Sequence, residues 1–504
     1  MLFAKYAAAP PPLPAAVRWA LAGAVAAVAG CRFWRLPEAG LPDYDSVRNW
    51  QVVQELAQGN FAHLFHHGSP GFLLFYAAVG QVSTQWFFLQ LVNAGLALAG
   101  LAWLGAWVAA EARLRPALAA AVVLLGGTGL LLTFSGRDFT MHSGALVFST
   151  GLLSNYFRRL QTSSPRAMLR AAAWLAAGLC FNYKFLFALP ILAVLEWHRA
   201  DGLLRRPALA GRVAGVLALP YALLGAVGVA VGLPWYRWPA FYLRTVWPAA
   251  GNPAGRHSTL HLDFSFYFRY LTDFELPLLL PALAAVAVAA LRLGYGRRGQ
   301  ALPLAAFLAA WAGSLLLGLS LLIKAPRGLL LAYLPLAALL VLAAQHWLPR
   351  RAVGPLLLAC LGLNLYRLQT QLFAYLPSGY PAVAAWLRAH PAGGVAATGS
   401  LGLAPYLPPA RPLRVVVFAP QLPALAATGT RYLLLDDYAR VTNLPGFDTL
   451  RQRTPLAAWP SRPLLAPLLY LEHAEYTGLG YAETLRRAAA AASDTAQLRL
   501  YRLP

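Results

Sequence analysis

Residues 86–138 read WFFLQLVNAGLALAGLAWLGAWVAAEARLRPALAAAVVLLGGTGLLLTFSGRD. Two apolar runs, 86–110 and 117–135, are each long enough to cross a hydrocarbon core as a helix. Between them lies a short turn carrying Arg113 and Arg115, and the second run ends on Arg137-Asp138. A basic turn on one side and an acid–base pair on the other set a topology. The same pattern repeats outward, with further apolar segments at roughly 17–33, 139–157, 168–183, 184–197, 213–233, 276–291, 302–322, 328–346 and 352–369. This is an all-α polytopic membrane protein of about eleven transmembrane helices.

Composition agrees. Of 504 residues, 59% are hydrophobic and only 12% are Asp, Glu, Lys or Arg. A soluble domain carries about 25% charged residues, so secreted, disordered and nucleic-acid-binding classes are excluded. The net charge of +23 is then a topology and headgroup signal. With Lys5 and Arg18 in the cytoplasm, as on a retained signal anchor, every short loop on that side is arginine-rich. These loops hold Arg158, Arg159, Arg166 and Arg170; Arg199, Arg205, Arg206 and Arg212; Arg292, Arg297 and Arg298; and Arg350 and Arg351. Cys31, Cys180 and Cys360 form no CxxC motif and no disulfide framework.

The other face holds two long loops. Loop 36–85 contains Leu41-Pro42-Asp43-Tyr44-Asp45, an amphipathic stretch from Val47 to Leu56, then His63, His66, His67 and Ser69-Pro70. Its apolar piece Gly71–Val79 is too short to span and suits the interface. Loop 234–275 is dense in Trp and Tyr, as at headgroup level. Residues 1–375 thus form the transmembrane part. From 376 to 504 the composition changes to a small α/β domain on the same outer face. Its strands are expected near Leu413–Phe418, Arg431–Leu435 and Gln497–Tyr501, and its helices near Pro381–His390 and Ala482–Ala492.

Ionisable groups kept beside a membrane usually have a partner or a task. Asp43 and Asp45, one residue apart, share a face in extended backbone. They can hold a divalent cation or divide into a base and its electrostatic partner. A helix cap is the plain alternative; it falls to Asp45 and leaves Asp43 as the catalytic carboxylate. Lys184, Lys324 and Arg327 end apolar helices on the outer side, a set suited to a phosphate, against the alternative of snorkelling. Pro326 fixes the turn that presents Lys324 and Arg327. Arg137, Asp138 and His142 offer a carboxylate and an imidazole on one helical face, or simply an ion pair and a cap. His66-His67 lacks a third ligand for zinc, and Asp436-Asp437 reads as a solvated loop. No P-loop, GxGxxG or GxSxG motif is present, which leaves no nucleotide or redox cofactor.

The order of these motifs resembles the GT-C superfamily of integral-membrane glycosyltransferases, in the branch of family 39, the protein O-mannosyltransferases and the aminoarabinose transferases. The resemblance covers about 350 residues. It rests on Asp43-Tyr44-Asp45, Gln58-Gly59-Asn60-Phe61, His67-Gly68-Ser69-Pro70-Gly71, Gly178 to Lys184, and Lys324 to Arg327 with Pro335 beyond. It implies a polyprenyl-phosphate sugar donor and a lipid, glycan or protein acceptor; the Arg-over-Lys, Ala/Leu/Gly/Pro-biased composition looks bacterial, which makes the expected membrane the inner one. In that scheme Asp43 is the base and Asp45 its alternate or a metal ligand. Lys184, Lys324 and Arg327 hold the phosphate, while Arg137, Asp138, His142 and His67 line the substrate. A transporter or lipid flippase and a non-catalytic scaffold are the rival readings. The transferase reading requires Asp43, Lys184 and Arg327 to converge.

Overall fold

The computed structural model describes residues 12–199, 201–246, 261–293, 302–444 and 446–503. Lys5, Arg297, Arg298 and the middle of the second outer loop, 247–260, lie outside the described residues. Helices occupy all eleven apolar segments, from Ala15–Phe33 to Arg350–Gln371. Among the described residues, five helical stretches are long and apolar enough to cross a membrane, or six if a bent pair counts as one. The remainder are shorter, such as Ala188–Trp197 and Leu304–Ser320, or more polar, such as Met141–Thr162. The chain is a multi-pass membrane protein with a small α/β domain.

The bent pair is the 117–135 segment. Pro116–Gly127 and Leu130–Arg137 meet at 62°. A break at Thr128-Gly129 frees the first N–H groups of the second helix. Glu275 takes two of them, from Leu130 at 3.0 Å and Leu131 at 2.6 Å. The Tyr270 and Tyr333 hydroxyls donate to the same carboxylate at 2.9 and 2.6 Å. A buried charge with four donors is fully compensated.

The arginine-rich end of the bundle is also tied internally. Buried Arg159 donates to Asp201 Oδ2 at 2.6 Å and to Glu196 Oε2 at 3.3 Å, and Arg199 donates to Asp201 Oδ1 at 2.9 Å. At the opposite end, the first outer loop folds as Tyr44–Ala57 and Pro70–Gly80. Its apolar residues Val47, Val53, Phe72 and Tyr76 form one core with Phe139 and Phe181. The Pro70–Gly80 helix buries Phe72, Leu73 and Tyr76 in protein.

The C-terminal part holds a five-stranded sheet in the order β2-β1-β3-β5-β4. The strands are β1 Gly394–Thr398, β2 Leu413–Val416, β3 Thr430–Asp436, β4 Ala457–Trp459 and β5 Leu498–Arg502. β1 runs parallel to β2 and β3, while β5 pairs antiparallel with β3 and β4. The helices Tyr380–Ala389 and Tyr481–Ala491 pack against this sheet through Val383, Leu387 and Ala488. The turn after β3 delivers Tyr438 to the first outer loop, where its hydroxyl meets Asp43 Oδ1.

Candidate active site

Asp43 opens the helix Tyr44–Ala57 as its N-cap, and its carboxylate accepts from Asp45 N at 3.2 Å. The cap thus falls to Asp43, not Asp45, because Pro42 and the extended backbone at Asp43 start the helix one residue later. Capping engages one oxygen only. Asp43 Oδ2 lies 3.7 Å from Arg327 Nη1, and Asp45 Oδ2 lies 3.5 Å from the same nitrogen. Lys184 Nζ donates to the Arg327 carbonyl at 3.2 Å. Asp43, 284 positions before Arg327, thus meets its guanidinium, and Lys184, 143 positions before it, meets its backbone carbonyl.

Short polar turns present these groups. Asn182 caps Tyr183–Phe187 by accepting from Lys184 N, and Pro326 starts the turn Pro326–Leu329 that carries Arg327. His67 has φ of +51°, a left-handed conformation costly for a residue with a side chain. It brings Nε2 to 3.4 Å from Asp45 Oδ1. Gly68 follows with φ of +62° and its Cα against the Phe241 ring, where a Cβ would clash; only glycine fits.

The second half of the cluster comes from the C-terminal domain. Arg327 Nη2 lies 2.8 Å from Glu475 Oε1, and its Nε lies 3.4 Å from Glu472 Oε2. The Tyr438 hydroxyl donates to Asp43 Oδ1 at 2.8 Å, accepts from Tyr44 N at 3.1 Å, and lies 2.5 Å from His473 Nε2. One donated and two accepted bonds satisfy that hydroxyl if His473 carries its proton on Nε2. Burial holds the His473 imidazole below its ordinary pKa, against the opposing pull of Asp43. Burial pushes the Glu472 carboxyl up, with Arg327 opposing. It raises Asp138 likewise, with Asp43 adding to the effect. The site is therefore less anionic than its five carboxyl groups suggest.

Other expected members stand apart. The Arg137 guanidinium donates to the carbonyls of Arg32, Trp34 and Arg35 and packs over Phe373, so it ties the end of the first helix to its own. Lys324 turns its ammonium onto the carbonyls of His261, Ser320 and Leu322. Carbonyls at a helix C-terminus attract such a cation. Asp138 and His142 do not pair as a helical i,i+4 couple, because Asp138 is extended and the helix starts only at Met141. Asp138 accepts from Ser46 and from Phe139 N, and His142 Nδ1 meets Thr140 Oγ1 at 3.0 Å.

Asp436 and Asp437 are buried rather than solvated. Tyr380 donates to Asp436 at 2.6 Å, and Arg451 and Arg440 pair with Asp437 at 2.5 and 3.3 Å. Asp436 in turn accepts from Tyr438 N and so fixes the tyrosine that reaches Asp43. Tyr438, Glu472, His473 and Glu475 are the members that sequence reasoning missed. The available signal was Glu472-His473-Ala474-Glu475 following the apolar run Pro467–Leu471.

Among the described residues, no three His, Cys, Asp or Glu side chains group as a metal site. The carboxylates around Asp43 surround a guanidinium instead. Beside them lies a small crevice of about 50 Å³, lined by Pro42, Phe134, Asp138, Leu372, Leu468 and Leu469. Its walls belong to both parts of the chain and are mostly apolar.

No family model and no curated protein matches the sequence. Among solved structures, the chain is similar to ArnT from Cupriavidus metallidurans bound to undecaprenyl phosphate. That match has 15% identity and a TM-score of 0.46, and covers 95% of this chain and 80% of that one.

Proposed function

We propose that this chain is a membrane glycosyltransferase that moves a sugar from a polyprenyl-phosphate donor to a hydroxyl on an envelope lipid, glycan or protein. The observation that carries this reading is the meeting of the Asp43 carboxylate with the Arg327 guanidinium, with Lys184 bound to the Arg327 carbonyl, at the outer ends of three separate helical segments. Asp43 takes the proton of the acceptor hydroxyl as its oxygen attacks the anomeric carbon. The bond from that carbon to the donor phosphate oxygen breaks, and its electron pair leaves with the phosphate. Arg327 and Lys184 oppose the charge that develops there. Burial, by weakening the negative charge of Glu472, leaves more of the Arg327 charge for this task.

The arginine distribution supports a cytoplasmic N-terminus with the site and C-terminal domain outside, and the Arg-over-Lys, Ala/Leu/Gly/Pro-rich composition supports a bacterial inner membrane. The test is transfer of labelled sugar from lipid-linked donors by membranes bearing the chain. Transfer by wild type and its loss in Asp43→Asn are expected. Lipid movement across vesicles without any transferred sugar would establish the flippase reading instead.

A further inference from the structure

The C-terminal domain has a polar cavity of its own, about 540 Å³ in volume. It lies between the helix Tyr481–Ala491, the short helix Pro467–Glu472 and the turn Tyr438–Val441 that follows β3. Arg487, Ala490 and Ala491 line it at positions i, i+3 and i+4, so a single face of their helix forms one wall. Tyr470 lines it from the second helix. Positions 470 and 472 are about 200° apart around a helix axis. Glu472 therefore faces Arg327 while Tyr470 turns away from it, and the cavity is separate from the Asp43 cluster.

The charge around it is unbalanced. Arg440, Arg451 and Arg499 share two carboxylates, Asp437 and Asp494. Arg487 adds a fourth guanidinium with no carboxylate partner among the described residues, which leaves an excess of two positive charges. Asp494 is the one acid that lines the cavity, and it is already engaged. Its Oδ1 accepts from Arg499 Nη2 at 2.5 Å and from Ala496 N at 3.2 Å, and its Oδ2 accepts from Arg440 Nη1 at 3.0 Å. The two lining arginines keep donors in reserve. Among the described residues, Arg440 bonds through Nη1 alone, to Asp437 and Asp494, and Arg487 through Nη1 alone, to Asn443. Nε and Nη2 of both guanidinium groups remain for a ligand.

The Tyr470 side chain is 1% exposed, and its hydroxyl has no hydrogen-bond partner among the described residues. Buried polar groups are nearly always satisfied, so a donor left open in a cavity wall points to an occupant. Burial, with Asp437 adding to it, raises this phenol to about 12, against the pull of Arg440, Arg487 and Arg451. It therefore keeps its proton to donate. We infer that this cavity binds a sugar that carries a phosphate or carboxylate group. The oxyanion pairs with the open nitrogens of Arg440 and Arg487. The Tyr470 hydroxyl donates to a sugar oxygen, and Ser493 Oγ, which donates to the Ala490 carbonyl at 2.8 Å, accepts from a sugar hydroxyl. The volume is more than a bare phosphate needs and lies in the range of about 300–1,000 Å³ usual for small ligands.

Isothermal titration calorimetry of the full chain in detergent tests this without sugar transfer, so its outcome does not depend on the reaction proposed above. The probes are glucose 6-phosphate, glucuronate, glucose and inorganic phosphate. One or both of the charged sugars should bind about tenfold or more tightly than glucose and inorganic phosphate, and the tighter of the two identifies the oxyanion. Arg487→Gln should weaken that binding about tenfold or more, as expected for a lost hydrogen bond from a charged donor. Tyr470→Phe removes a hydroxyl that holds nothing in the fold; it should weaken binding about threefold to tenfold at an unchanged thermal midpoint. Glucose or inorganic phosphate bound as tightly as the charged sugars overturns the proposal. So does the absence of binding by either charged sugar, or an affinity unchanged in both variants.

Discussion

Glu275 and Glu472 are both glutamates withdrawn from solvent, and their surroundings are opposite. Glu275 sits at the break of the bent helix pair and receives four hydrogen bonds. Glu472 lies in the outer cluster 3.4 Å from Arg327 Nε, and neither of its carboxylate oxygens accepts a hydrogen bond among the described residues. Buried polar groups are nearly always satisfied, so an exception marks strain or a role. The first carboxylate completes a fold; the second is held against Arg327 by charge alone. The same contrast holds between Arg159, whose two carboxylates form a small balanced network, and Arg327, which faces Asp43, Asp45, Glu472 and Glu475 at once.

The largest expected effect is on chemistry. Asp43→Asn should lower sugar transfer by about 10²–10⁴-fold and leave the thermal midpoint nearly unchanged, since Asn caps a helix as well as Asp does. An unfolded variant, or one with full transfer, would break the contrast between a structural and a catalytic carboxylate. Arg327→Ala should abolish transfer and destabilise by about 3–5 kcal/mol, because it strands buried carboxylates; thermal unfolding in detergent reads this.

Exchanging the two glutamates' roles sharpens the comparison. Glu275→Gln turns two amide hydrogens towards existing donors and should cost about 2–3 kcal/mol. Glu472→Gln, with no hydrogen bond to lose, should change stability by less than about 1 kcal/mol and leave transfer largely intact. Equal destabilisation by both would remove the distinction.

The smallest effect is a pH slope. Burial lifts the Asp436 carboxyl to about 7, against about 3.9 unfolded. The folded state then holds the proton more tightly, so stability present at acidic pH is lost as pH rises between those values. The slope is at most about 1.4 kcal/mol per pH unit. Asp436→Asn should flatten the unfolding midpoint across pH 4–7, and an unchanged slope would refute this.

Much of this was legible in the sequence. The eleven apolar segments all became helices, because hydropathy dictates backbone pairing wherever water is absent. Asp43 and Arg327 stood out because charge is rare in such a chain. Lys324 and Arg137 were equally visible yet turned to backbone carbonyls, since a charged residue at a helix end announces its cost and not its partner. Tyr438, Glu472, His473 and Glu475 were illegible for the opposite reason: in a water-facing domain, polar residues are ordinary. β1, with its Ala-rich Gly394–Thr398, and the three-residue β4 carried no β-branched alternation to reveal them.

The Tyr438 hydroxyl that touches Asp43 lies 395 residues further along the chain. During synthesis, the first outer loop is in place long before its partners beyond residue 430 leave the ribosome. The cluster is completed only when the finished sheet docks back on the membrane part. A protein arranged in this way acquires its chemistry last, after every helix has been threaded through the bilayer.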